Sequence, residues 1–101
     1  MKLWIDDVRP APNDEYWLAQ SVEQARLAIE IVESSASLEV ELIDIDHDAG
    51  DYANDGGDYI KLLYWLEETG RNYPIRIHSM NPVGVANMRA IIERNGWTEV
   101  K

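Results

Sequence analysis

The chain has 101 residues, 46% of them hydrophobic, no cysteine and a formal net charge of −10. That size allows one domain burying roughly 65% of its unfolded surface; the lack of cysteine excludes disulfides and thiolate metal sites; and the acidic balance works against binding a long nucleic-acid tract, which needs basic contacts along the backbone. No apolar run reaches the length of a membrane span and MKLWIDDVRP carries no signal-peptide pattern, so a cytoplasmic protein with no membrane partner is expected.

KLWI (2–5) is a short apolar run that stops at Asp6-Asp7, and DVRPAPND after it is a loop by its two prolines. EYWLAQ (15–20), aromatic and β-prone, predicts a second strand. Ser21 and Gln24 have the spacing of a capping box, and Val22, Ala25, Ala28/Ile29 and Val32 recur at helical intervals, which predicts an amphipathic helix. VELIDI (40–45) reads as a buried strand that again ends in carboxylates. The following DAGDYANDGGD reads as a flexible loop, a lid over a site, with Tyr52 the candidate for stacking on a base. An EF-hand reading of it fails, because the third ligand falls on Gly50 and the final glutamate slot on Gly57. YIKLLYWLEET (59–69) is helical and ends at Gly70. IRIHS (75–79) is the next strand, Asn81-Pro82 caps and opens the helix PVGVANMRAIIERN, and WTEV (97–100) makes a last short strand.

The order β-β-α-β-α-β-α-β predicts a single α/β domain over 1–101 with a parallel sheet built from right-handed crossovers. Ligands of such sheets bind at the carboxyl ends of the strands. Asp6, Asp7, Asp46, His47, His78 and Ser79 all fall at or just past such ends. One polar strand end would mean nothing; three point to a site.

A strand closing on Asp6-Asp7 and a central strand closing on Asp46 resemble the response-regulator receiver domain, in which an acidic pair holds Mg²⁺ and a third aspartate accepts a phosphoryl group. The receiver's hydroxyl maps to Ser79. VRPAPND is too short and proline-rich for the receiver's first helix, and no Lys-Pro pair follows the last strand. WIDDVRP (4–10), IDHDAG (45–50) and HSMNPVG (78–84) together resemble a receiver offshoot, the cyclic-phosphate processing receiver domain. The resemblance implies a small three-layer, flavodoxin-like fold with a five-stranded parallel sheet of order 2-1-3-4-5, the first and last receiver helices missing. It also implies work on a cyclic phosphate, in RNA repair or on nucleotide derivatives.

Hydrolysis of a cyclic phosphodiester needs a base for water, an acid for the departing ribose oxygen, and stabilised charge on the phosphorus oxygens. His47 and His78 are expected to divide the acid and base roles, with Asp46 or Asp48 holding one imidazole's tautomer. Phosphate is expected to meet the Ser79 hydroxyl, the amides of the helix opening at Asn81, the bare backbone of Gly84, and the Arg9 guanidinium. The plainer readings are a salt bridge of Arg9 with Asp6 or Asp7, and an ordinary helix start at Asn81-Pro82. Asp6, Asp7 and Asp46 could hold Mg²⁺ or Mn²⁺, although no cofactor is required. The expected partner is a 2′,3′-cyclic nucleotide or an RNA 3′ end. Two other readings stay open: a non-catalytic receiver-type module that binds a protein partner, and a Mg²⁺-dependent phosphoacceptor modified at Asp46.

Overall fold

In the computed structural model, which describes residues 1–101, four short strands lie parallel: β1 (Lys2–Ile5), β2 (Tyr16–Ala19), β3 (Leu42–Ile45) and β4 (Ile75–Ile77). Three helices follow the later strands: α1 (Val22–Glu33), α2 (Ile60–Glu68) and α3 (Pro82–Asn95). The sheet order is β2-β1-β3-β4. Side chains alternate across the pleat, so Leu3 and Ile5 of β1, Ile43 and Ile45 of β3 and Ile75 of β4 share one face. They join Ala25, Ile29 and Val32 of α1, Leu62, Leu63 and Leu66 of α2, and Met88, Ile91 and Ile92 of α3 in one core of 19 buried residues.

That single core corrects the three-layer expectation to two layers. The crossovers β2-α1-β3 and β3-α2-β4 step across the sheet in the same direction, and right-handed crossovers of one direction lay their helices on one face. Only the β1-to-β2 connection steps the other way, and residues 6–15 form bends and turns there instead of a helix. The second face carries Leu18, Trp4, Asp44 and Arg76 in one register row.

The fifth strand is also corrected. WTEV meets β4 at one isolated parallel bridge, Ile75 with Glu99, through two hydrogen bonds: Ile75 N to the Thr98 carbonyl at 3.0 Å and Val100 N to the Ile75 carbonyl at 2.7 Å. β4 begins only at Ile75, and the Glu99 carboxylate is drawn into a two-pronged pair with Arg89, so the sheet order is 2-1-3-4.

Residues 46–59 form a built segment rather than the expected flexible loop. Gly50–Asn54 is a 3₁₀ helix, and Tyr52 and Ala53 pack against the core. Ala49 and Tyr59 are fully buried, and the Tyr59 hydroxyl donates to the Gln20 carbonyl at 2.7 Å. Ser21, the N-cap of α1, accepts from Gln24 N and donates to Asp55 Oδ2 at 2.6 Å, which ties this segment to the start of α1. No helix is long and apolar enough to cross a membrane.

Candidate functional site

Asp44 lies between Ile43 and Ile45 on β3, so the pleat turns it away from the core, onto the face it shares with Trp4. Its side chain is nonetheless fully buried. What buries it is His78, the first residue past β4. Nδ1 of His78 sits 2.6 Å from Asp44 Oδ1, and Nε2 sits 2.9 Å from Asp6 Oδ2. The imidazole lies flat on the Trp4 indole, 3.8 Å between centroids and 3° from parallel. Each ring nitrogen thus meets one buried carboxylate, and Arg76 donates to the other Asp44 oxygen at 3.1 Å. Removing His78 would leave Asp6 and Asp44 without the group that bridges them.

Asp6 is the hinge between this bridge and the strand-end surface. Its Oδ1 accepts from the Val8 and Arg9 amides at 3.0 and 2.9 Å. Burial alone would raise the Asp6 carboxyl; these two amides and the His78 ring outweigh burial and hold it below the ordinary carboxylate range. Two donors occupy Oδ1 and one occupies Oδ2, which leaves a lone pair on Oδ2. Asp6, Asp7 and Asp46 each bring one carboxylate oxygen to within 4.8 Å of the others. Burial, followed by the nearby Asp6 and Asp46 charges, pushes the Asp7 carboxyl up. Gly50 makes room for it: a Cβ there would stand 2.4 Å from Asp7 Oδ2, and its φ of +55° also favours glycine. Three crowded oxygens with no nitrogen or sulfur donor fit a hard divalent cation such as Mg²⁺ or Mn²⁺, whose charge would relieve the repulsion felt by Asp7.

His47, two residues past β3, is held differently. Nδ1 meets Asp48 Oδ1 at 2.9 Å, while Nε2 makes no hydrogen bond within the chain. Its ring lies on the first turn of α3, where a Cβ on Gly84 would stand 2.4 Å from His47 Cγ. The bare backbone of Gly84 therefore admits the His47 ring. The helix opening is an ordinary cap as well: Asn81 Oδ1 accepts from Gly84 N at 3.0 Å, and Ser79 Oγ accepts from Asn81 N at 3.1 Å. These two amides are already engaged within the chain.

Arg9 makes no salt bridge with Asp6 or Asp7; its guanidinium reaches the His78 carbonyl at 3.4 Å. It lines a cleft of about 270 Å³ together with Asp6 and Asp7. The expected residues therefore divide into three sets. Asp6, Asp7 and Arg9 share the cleft, with Asp46 beside the two aspartates. His78 stands behind Asp6, and His47 with Asp48 rests on Gly84. Asp44, Trp4, Gln20 and Gln24 went unnoticed in the sequence as members of the bridge or the cleft. Asp44 alone left a signal, a single carboxylate inside an apolar strand, which must find a partner when buried.

A family model described as the cyclic-phosphate processing receiver domain matches residues 1–94 of the chain. No curated protein and no solved structure gives a significant match.

Proposed function

Because the chain belongs to the cyclic-phosphate processing receiver domain family, we propose that it is a phosphoesterase opening a 2′,3′-cyclic phosphate on a nucleotide or an RNA 3′ end. The observation that carries this reading is the convergence of Asp6, Asp7 and Asp46 within 4.8 Å at the ends of two adjacent strands. A divalent cation held by these carboxylates would neutralise the phosphorus oxygens and supply an acidified water. The remaining work falls to the chain's own groups. Arg9 offers a guanidinium to the phosphate from the wall of the cleft. His47, oriented by Asp48 and free at Nε2, delivers a proton to the departing ribose oxygen. Water gives up one proton to bulk solvent and forms one P–O bond, the ring P–O bond breaks, and the ribose oxygen takes the His47 proton and leaves as a hydroxyl; no redox partner is needed. His78, engaged at both nitrogens, acts as a positioning residue that fixes Asp6.

Phosphorus NMR of a 2′,3′-cyclic nucleotide incubated with the protein and Mg²⁺ or Mn²⁺ tests the reading. Conversion to a single monoester, abolished in Asp46→Asn and in His47→Ala, is expected. No conversion of the nucleotide or of a short RNA ending in the cyclic phosphate sinks it. The same three aspartates favour one rival, a phosphoacceptor at Asp46. With a small acyl phosphate as donor, that rival predicts an aspartyl-phosphate resonance lost in Asp46→Asn.

A further inference from the structure

The cleft beside the aspartates has a second end that the phosphate chemistry leaves unused. It runs from Asp6, Asp7 and Arg9 to Gln20 and Gln24 at the start of α1. Hydrogen bonding fixes which way both amides point. Gln24 accepts from the Gln20 backbone N–H at 2.8 Å, so that atom is Oε1; Gln20 donates to the Asp7 carbonyl at 3.3 Å, so that atom is Nε2. Gln20 Oε1 and Gln24 Nε2 make no hydrogen bond within the chain, and the Gln24 side chain is held in place by the Gln20 backbone. Around them the cleft is apolar in places where solubility alone would favour polar groups: Val8 is 80% exposed and Leu18 66% exposed, and both line it. An apolar wall with a few polar groups of defined sense is the makeup of a small-ligand site.

We infer that this end of the cleft is a nucleoside subsite that seats the base of the cyclic phosphate substrate, its flat face on Val8 and Leu18 and its polar edge on Gln20 Oε1 and Gln24 Nε2. Every nucleobase presents an adjacent donor and acceptor on its pairing edge, so the subsite requires a base but tolerates any of the four. The inference rests on the phosphoesterase reading for where the phosphate lies, and the experiment separates the two.

Side-chain amide resonances of Gln20 and Gln24 are followed by ¹H–¹⁵N NMR with Mg²⁺ present, during titration with a 2′,3′-cyclic nucleotide or with methyl riboside 2′,3′-cyclic phosphate, which has no base. Turnover of both compounds is measured in parallel. The subsite predicts that the nucleotide moves both amide pairs, binds about tenfold or more tightly than the baseless compound, and loses that advantage in Gln24→Met and in Leu18→Ser. Gln24→Met removes a capping contact, and Leu18→Ser does not, so one variant is free of any effect on helix formation. Amide shifts without turnover support the subsite and count against the phosphoesterase. Equal binding of both compounds, with unmoved glutamine amides, overturns the subsite whether or not hydrolysis is seen.

Discussion

His78 and His47 leave adjacent strands within two residues of the strand ends, yet one ring has a partner at both nitrogens and the other at only one. His78 lies against Trp4 with both nitrogens spent on buried carboxylates. His47 has one nitrogen on an exposed aspartate and one with no hydrogen-bond partner in the chain. Proton transfer needs a nitrogen that can reach the substrate, and only His47 keeps one. A ring nitrogen's availability is thus set by which neighbours the fold brings to it, not by the carboxylates adjacent in the sequence.

The largest effect is expected at His78. His78→Ala leaves Asp6 and Asp44 buried without their shared donor, and a loss of about 3–5 kcal/mol in urea unfolding is expected. A loss under about 1 kcal/mol would mean that the bridge does not hold these carboxylates. His47→Ala should do the reverse. Stability should stay within about 1 kcal/mol of the parent, while hydrolysis falls by about 10²–10⁴-fold. Unchanged turnover would remove His47 from the mechanism.

Gly84→Ala probes the seat of the His47 ring. The new Cβ would lie 2.4 Å from the His47 ring, so the ring must shift. Destabilisation of about 1–3 kcal/mol is expected together with a drop in kcat that exceeds the change in KM. If kcat is unaffected, the ring's position on α3 does not matter for the chemistry.

The smallest effect belongs to Asp7, and it separates the two aspartates of the first strand end by sign. The lowered Asp6 carboxyl stabilises the fold above its ordinary titration range, and that contribution is lost as pH falls through its lower folded value. The raised Asp7 carboxyl works oppositely: its contribution is whole at acid pH and lost as pH rises through its higher folded value. Asp7→Asn is therefore expected to stabilise the protein in chelator at neutral pH by on the order of 0.5–1 kcal/mol, and to weaken the stabilisation that Mg²⁺ gives the parent. Thermal melts from acid to neutral pH, with and without Mg²⁺, measure both.

The elements themselves were legible because local chemistry decides them. Asn81-Pro82 opens α3 and Gly96 closes it in the left-handed region, at the residues where cap and terminator stand in the sequence. Short apolar runs that end in carboxylates, KLWI and VELIDI, marked β1 and β3. WTEV misled because β propensity cannot report how much neighbouring strand is available to pair with. The lid reading of residues 48–58 misled because glycine and aspartate signal turns, but not whether Tyr52 and Tyr59 will anchor those turns in a core.

Residue order and short-range periodicity were enough for the motif positions, the strand-end placement of the acidic residues and the family they mark. Three features come from long-range packing instead: all three helices share one face, Asp44 and Asp6 hold His78 between them, and Gly84 receives a side chain of its own chain. Those facts depend on residues 34 and 72 positions apart, or on a ring and a backbone brought together across two elements. Spacing along a chain carries no information about which lone pairs will be left when such distant groups meet.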